Sequence, residues 1–293
     1  MGAKLYIHIG LPKTATSTLQ KEVFPLVDDT LGFTYAGTMQ PRGKNGELYS
    51  AFMGGVYSGE FDEFHDLMSR LKGEASVIVS EEMITVDSEN GTWKGNLRNL
   101  KQMVSSYDYR ILLSVREPLD AMFSYYVERY EEFRRGYPVF DVRVLENSHM
   151  LIYKYNTFIK TLEDFFSLEC LYFINFDEII NGRFGGLERF LGCAIPIVGP
   201  PDDFNNKART GEVVYAQGRD FHRRFVNFAK KRLRMDMSSP YLRPLRSSVR
   251  ACLSRIQPKY AVPLLSDEAK EEFREFLRDD VKMYERLCAD ERE

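Results

Sequence analysis

The stretch that decides the fold is Lys4–Leu19, which reads K-L-Y-I-H-I-G-L-P-K-T-A-T-S-T-L. Leu5–Ile9 is a short run rich in β-branched and aromatic residues, and it predicts a buried strand. Gly10–Pro12 ends that run, and Ala15–Val23 then has helical character. The first N–H groups of a helix and its dipole attract anions, and Lys13 adds a positive charge at the same turn. The stretch therefore predicts a phosphate-binding turn between a strand and a helix.

The pattern of this turn differs from a Walker A loop, which needs a second glycine directly before the lysine. Lys13 instead follows Pro12. The stretch resembles the 5′-phosphosulfate loop of the PAPS-dependent sulfotransferases, P-K-[TS]-G-[TS]-[TS]-x-L, with Ala15 where a glycine is usual. An ordinary strand–turn–helix with capping hydroxyls remains the alternative reading of the stretch alone. The resemblance implies these ligands of the phosphosulfate: Lys13, Thr14, Ala15, Thr16, Ser17 and Thr18.

Further apolar strands alternate with helical segments along the chain. The predicted strands are Ser76–Ser80, Arg110–Val115 and Leu171–Phe176, with a short one at Phe33–Tyr35. Strands that are apolar on both faces are typical of a parallel sheet covered on both sides. The sequence therefore predicts an α/β fold, P-loop-like, with three α/β/α layers and a mainly parallel sheet of about five strands. The predicted helices between the strands are Phe61–Leu71, Leu97–Tyr107, Leu119–Phe133, Val142–Phe166 and Gly186–Leu191.

A second motif follows the strand Arg110–Val115. Arg116 is followed by Glu117 and Pro118, with Ser124 eight and Tyr126 ten residues after the arginine. This spacing resembles the 3′-phosphate motif of sulfotransferases, so the resemblance implies that Arg116, Ser124 and Tyr126 bind the 3′-phosphate of PAPS. A guanidinium fork suits a phosphate dianion. Ala121 stands where many family members have a second arginine.

Ligands of parallel sheets bind beyond the carboxyl ends of the strands, and Lys13, Glu81, Glu82 and Arg116 all follow predicted strands. The resemblance implies a sulfotransferase with PAPS as donor, PAP as product and no metal. In that scheme Lys13 stabilises the sulfuryl group, and Glu81 or Glu82 is the base. His8 and His65 are the fallback bases. The alternatives are a P-loop kinase or NTPase, or an inactive nucleotide- or glycan-binding protein of this fold.

Composition fits a soluble globular protein, and the length suits one large α/β domain or two small ones. We expect a single domain over 1–293. The resemblance implies a nucleotide-binding core over 1–200 and a C-terminal lid and helical extension over 201–293. The net charge of −3 predicts no nucleic-acid partner. Four widely spaced cysteines without a C-x-x-C pair favour reduced thiols and a cytoplasmic setting. Neither a signal peptide nor an apolar run long enough for a membrane span is visible. The sequence predicts no oligomeric state.

The C-terminal third carries a concentration of positive charge. Lys207 and Arg209 lie where family members have a basic lid, so the resemblance makes them candidate 3′-phosphate ligands. Between Gly218 and Tyr260 there are twelve Lys or Arg against two Asp. A solvated helical face is the simpler reading, and attraction to an anionic polymer or a peripheral membrane contact is the other. Asp267–Leu287 reads as an amphipathic helix.

The acceptor is the least specified feature of the sequence. Thr38–Gly59, read as a long loop, and Glu128–Tyr155 are predicted to frame the open side of the site. Aromatic faces beside polar groups suit a sugar ring, and almost equally a phenol or a lipid-linked headgroup. Glutamates in place of the histidine of cytosolic aryl and steroid sulfotransferases favour a saccharide or glycoconjugate. The aromatic residues in question are Tyr49, Phe52, Tyr57, Tyr130, Phe133, Tyr137 and Tyr153.

Overall fold

The structure is a computed structural model that describes residues 4–37, 46–71, 76–88, 91–196, 209–210, 213–217 and 259–289. Lys207, the part of the predicted loop before Gly46 and nearly all of the basic stretch 218–260 lie outside the described residues. Within the described ranges, no helix is long and apolar enough to cross a membrane.

A five-stranded parallel sheet forms the centre of the fold. Its spatial order is β2-β3-β1-β4-β5, so the strand that opens the chain is the central one. Both neighbours of β1 pair with it in parallel, with His8 opposite Ser80 on one side and Leu112 on the other. The predicted α/β fold with about five strands is therefore confirmed. The strands are β1 (Lys4–His8), β2 (Thr34–Tyr35), β3 (Ser76–Ser80), β4 (Asp108–Val115) and β5 (Leu171–Asn175).

Both faces of this sheet are buried. On one face Tyr6, Ile78 and Leu112 pack with Phe24 and Phe190 in a single apolar cluster. The residues that alternate with them are also inaccessible to solvent, so helices cover the second face as well. These second-face residues are Leu5, Ile7, Val77, Val79, Ile111 and Leu113.

The helices connect the strands in the order that the sequence predicts. The first begins at Thr16, passes through a π-helical segment at Leu19–Val23, and continues to Leu31. The helices are α1 (Thr16–Thr18), α2 (Phe24–Leu31), α3 (Glu47–Ser58), α4 (Asp62–Ser69), α5 (Trp93–Val104), α6 (Pro118–Glu128), α7 (Tyr130–Phe133), α8 (Tyr155–Phe165), α9 (Phe176–Ile180), α10 (Gly185–Leu191), α11 (Asp267–Phe276) and α12 (Arg278–Ala289).

The prediction of a loop over Thr38–Gly59 is wrong for its second half, which is helix α3. Tyr49, Phe52 and Val56 recur on one face of that helix and are buried. Gly55 fits this position because a Cβ there would lie 2.7 Å from the sulfur of Met103 and 3.3 Å from the Glu60 carbonyl oxygen. Gly55, one of the glycines that suggested a loop, therefore allows α3 to approach α5 closely.

Three predicted helices are each divided. Leu119–Phe133 is divided at Arg129 into α6 and α7. Val142–Phe166 forms two 3₁₀ segments, Val142–Glu146 and Ser148–Tyr153, before α8 begins. The side chain of Asn147 accepts a hydrogen bond from the His149 N–H at 3.0 Å and thereby starts the second segment. Asp267–Leu287 is divided at Leu277 into α11 and α12.

The chain divides into two compact units. The first comprises Met1–Met122, Val142–Asn205 and Glu271–Glu293, and it contains the five-stranded sheet. The second comprises Phe123–Asp141 and Asn206–Lys270. Its three-stranded antiparallel sheet consists of β6 (Arg209–Thr210), β7 (Val213–Gln217) and β8 (Lys259–Pro263). The expected single domain over 1–293, with its core and lid, stays a prediction.

Candidate active site

The turn after β1 has an unusual backbone. Lys13 and Ala15 both have positive φ, at 70° and 64°, on either side of Thr14. Alternation between left-handed and right-handed residues turns successive N–H groups toward one side, which is the geometry of an anion-binding nest. A positive φ in a residue with a Cβ costs roughly 1–2 kcal/mol. The loop over residues 13–16 is therefore strained, and its shape depends on the contacts that hold it.

Hydrogen bonds from buried side chains hold this loop. The Tyr153 hydroxyl donates to the Pro12 carbonyl at 2.8 Å, and the Thr14 hydroxyl donates to the Leu11 carbonyl at 2.6 Å. The hydroxyls of Thr14 and Ser114 are also 2.6 Å apart. Thr14 is fully buried, so its side chain lies inside the protein. The hydroxyl of Thr14, a predicted ligand of the phosphosulfate, is therefore bonded within the protein.

A buried histidine, His8, is linked to the loop through Ser114. Nδ1 of His8 is 2.7 Å from the Ser80 hydroxyl, and Nε2 is 3.2 Å from the Ser114 hydroxyl. Burial lowers the pKa of His8 to about 3, so the imidazole is neutral at physiological pH. Gly10 makes this arrangement possible, because a Cβ there would lie 2.4 Å from His8 Nε2.

Arg116 leaves the carboxyl end of β4 beside this loop. One guanidinium nitrogen, Nη1, donates to the Lys13 carbonyl at 3.4 Å. The guanidinium carbon is 4.3 Å from the ring centroid of Phe176, and Nη2 is 3.6 Å from the Asp120 carboxylate. The Tyr155 hydroxyl bonds both the carbonyl and the N–H of Arg116, at 2.8 and 3.2 Å. The arginine is thus held at the strand end next to Lys13.

The two predicted glutamates follow β3 and have different partners. The hydroxyl of Thr16 donates to the Glu82 carboxylate at 2.5 Å. The Glu81 carboxylate accepts from the Tyr49 hydroxyl at 2.5 Å and from the Met83 N–H at 2.9 Å. Both glutamates are buried. Glu82 therefore contacts the first helical turn after the loop.

The remaining predicted ligands lie in different places. Ser17 is half-buried, and Thr18 is buried in the same helical turn. In the second unit, Ser124 is half-buried, whereas Tyr126 is fully buried and its hydroxyl donates to the Tyr137 carbonyl at 2.8 Å. Arg209 belongs to β6, and Lys207 lies outside the described residues. The fallback base His65 lies on α4, where its Nδ1 is 2.7 Å from the Tyr107 hydroxyl.

Some residues of this site were missed at the level of sequence. Ser114 joins His8 to Thr14 of the loop, and Ser80 bonds the other nitrogen of His8. Tyr155, and Tyr153 in a role other than the predicted acceptor contact, hold the backbone of Arg116 and Pro12. The two serines had a detectable signal, because each is a polar residue at or near the end of an otherwise apolar strand. The tyrosines had none, since they lie far along the chain.

No protein-family model matches this chain, and no curated protein matches it. Among solved structures, a sulfotransferase from Alicyclobacillus acidocaldarius is 18% identical and has a TM-score of 0.41; the match covers 76% of this chain and 90% of that one. The sulfotransferase domain from the curacin biosynthetic pathway is 13% identical with a TM-score of 0.33, over 67% of this chain and 75% of that one. Both TM-scores are below 0.5, so neither likeness bears on the function of this chain.

Proposed function

We propose that this chain is a sulfotransferase that moves a sulfuryl group from PAPS to an acceptor hydroxyl. The observation that carries the proposal is the meeting of two cationic residues at neighbouring strand ends. Arg116 after β4 bonds the carbonyl of Lys13 after β1. The strand order changes direction at β1, and ligands of open parallel sheets bind at such a point.

The residues at this point fit a nucleotide that carries two separate anionic groups. Lys13 and the N–H groups of the strained loop would hold the 5′-phosphosulfate. Arg116 would hold the 3′-phosphate, because its planar guanidinium is fixed by Phe176 and Asp120. Ser124, Lys207 and Arg209 are proposed as further 3′-phosphate ligands on the resemblance alone.

The Thr14 hydroxyl argues against a kinase or NTPase. In a Walker A loop the hydroxyl residue directly after the lysine ligates magnesium. Thr14 occupies that position here, but its hydroxyl is buried and bonded to the Leu11 carbonyl and to Ser114. The loop therefore offers a lysine and backbone N–H groups without the magnesium-binding hydroxyl.

Sulfuryl transfer requires that the acceptor lose a proton and that the departing phosphate be stabilised. PAPS, when bound, supplies the activated sulfuryl group. Lys13 and the loop N–H groups would stabilise the negative charge that develops on the leaving oxygen. Glu82 is the proposed base because it contacts Thr16 in the first turn after the loop. Glu81 instead accepts hydrogen bonds from the Tyr49 hydroxyl and the Met83 N–H.

The proposed acceptor is a saccharide or glycoconjugate. Four of the seven aromatic residues expected to stack on a sugar are buried, which leaves Tyr57, Tyr130 and Tyr137 half-buried. Burial and the nearby Glu81 charge raise the pKa of Tyr57 to about 12. Tyr57 is therefore a neutral aromatic ring near the strand end that carries the glutamates, and its face suits a sugar ring.

Transfer of ³⁵S from labelled PAPS to a panel of saccharides and small phenols tests this function. The proposal predicts labelled saccharides with the wild-type chain and none with Lys13→Ala. Transfer to phenols alone would overturn the acceptor class. If PAP binds and nothing in a broad panel is labelled, the chain is a binding protein of this fold instead of an enzyme.

A further inference from the structure

In the hydrogen bonds that link His8 to Leu11 through Ser114 and Thr14, the donor of each bond can be assigned in only one way. The Leu11 carbonyl can only accept, so the single hydroxyl proton of Thr14 is donated to it at 2.6 Å. Thr14 must then accept from Ser114, 2.6 Å away. Because this uses the proton of Ser114, the Ser114 oxygen must accept from Nε2 of His8. Nε2 therefore carries the hydrogen of the imidazole.

The far side of the histidine agrees with this direction. With the hydrogen on Nε2, Nδ1 is an acceptor and takes the proton of the Ser80 hydroxyl at 2.7 Å. The Ser80 oxygen in turn accepts from the side-chain amide of Gln20 at 3.1 Å. The complete chain runs from Gln20 through Ser80, His8, Ser114 and Thr14 to Leu11, and each side chain in it is buried.

We infer that His8 is a positioning residue, which as its neutral Nε2–H tautomer holds the loop over residues 13–16 through Ser114 and Thr14. Thr14 lies between the two residues with positive φ, so its side chain holds the most strained part of the loop. Strained backbone persists only where its surroundings determine it. The consequence for nucleotide binding rests on the proposed function, whereas the direction of the hydrogen bonds does not.

Two serine variants separate this role from ordinary core stability. Ser80 and Ser114 are both fully buried and bond opposite nitrogens of the same imidazole. Ser80→Ala leaves Nδ1 without a donor but keeps the link to the loop, whereas Ser114→Ala breaks that link. Both variants should lose stability to a similar extent because each leaves one ring nitrogen unpaired.

Amide hydrogen exchange of the ligand-free protein then measures how strongly the N–H groups of the loop are protected. In Ser114→Ala the N–H groups of residues 13–16 should exchange about five- to tenfold faster than in wild type, the change expected for one lost hydrogen bond. In Ser80→Ala they should keep wild-type rates. Equal exchange of this loop in the two variants would overturn the inference.

The tautomer provides a test that needs no variant. Nitrogen-15 NMR of the wild-type chain should report a protonated Nε2 and an unprotonated Nδ1 for His8 at neutral pH. A protonated Nδ1 would overturn the inference, since the chain of donors would then have to run the other way.

Calorimetry with PAP connects the network to the proposed ligand. Ser114→Ala should bind PAP about five- to tenfold more weakly than wild type, and Ser80→Ala should bind it like wild type. Equal affinity in all three proteins would overturn the role in nucleotide binding. A wild-type chain that binds no PAP refutes the proposed function, and the exchange and tautomer measurements then decide the inference.

Discussion

The hydroxyl of Thr16 donates to the carboxylate of Glu82 at 2.5 Å. This hydrogen bond joins α1 to the segment that follows β3. Glu82→Gln should lower kcat by roughly 10²–10⁴-fold, the usual contribution of a general base. PAP affinity should stay close to that of wild type, because the amide can still accept from Thr16. Steady-state kinetics and calorimetry on the same preparation measure both quantities.

Glu81→Gln is the matched control for this experiment. It is the neighbouring carboxylate, and it accepts from the Tyr49 hydroxyl and the Met83 N–H. We expect a smaller loss of kcat from this variant. A large loss with Glu81→Gln and full activity with Glu82→Gln would assign the base to Glu81.

Arg116→Ala should weaken PAP binding by about 1.5–3 kcal/mol, because a charge-assisted contact to phosphate is lost from a partly buried site. Arg110→Ala is a matched control on the same strand. Arg110 bonds the Arg189 and Phe190 carbonyls, at 3.0 and 2.6 Å, and therefore serves the packing of α10. Arg110→Ala should lower stability and leave the calorimetric PAP affinity unchanged; equal losses of affinity would contradict the assignment.

Ala15→Gly should stabilise the protein by about 1 kcal/mol, because glycine adopts a positive φ without the steric cost of a Cβ. The lost methyl burial is smaller, since Ala15 is only half-buried. The same substitution at Ala269, inside α11, should destabilise by a similar amount. Urea unfolding measures both changes, and a loss of stability in Ala15→Gly would show that the loop is not strained at this residue.

The buried His8 predicts a specific dependence of stability on pH. Its pKa is about 3 in the folded state against 6.5 as the ordinary value, so below pH 6.5 the unfolded chain binds the extra proton. The stability is therefore complete above that pH and falls as the pH drops toward 3. The wild type should lose about 2 kcal/mol between roughly pH 8 and pH 5. His8→Gln should lack this part of the pH dependence in urea unfolding; identical curves would contradict a neutral His8.

The sequence predicted the central features well because they depend on local patterns. The short apolar strands and the glycine–proline turn before Lys13 need no long-range information, and the parallel sheet follows from them. Helix α3 was missed although Tyr49, Phe52 and Val56 form a helical stripe, because Gly54 and Gly55 suggested a loop. The role of Gly55 is visible only when its approach to Met103 is known.

The candidate site was predictable only in part for a similar reason. Lys13, Glu82 and Arg116 follow strands, so topology alone brings them together. The inward turn of the Thr14 hydroxyl depends on Ser114, a hundred residues away along the chain. Contacts between such distant residues leave no periodic signal in one sequence, and the His8 network therefore required coordinates.

Calorimetry of PAP binding against ATP with magnesium tests the central claim most directly. The wild-type chain should bind PAP without added metal and should bind ATP with magnesium far more weakly, because the Thr14 hydroxyl is bonded inside the protein. Tight binding of ATP with magnesium, together with no binding of PAP, would contradict the account.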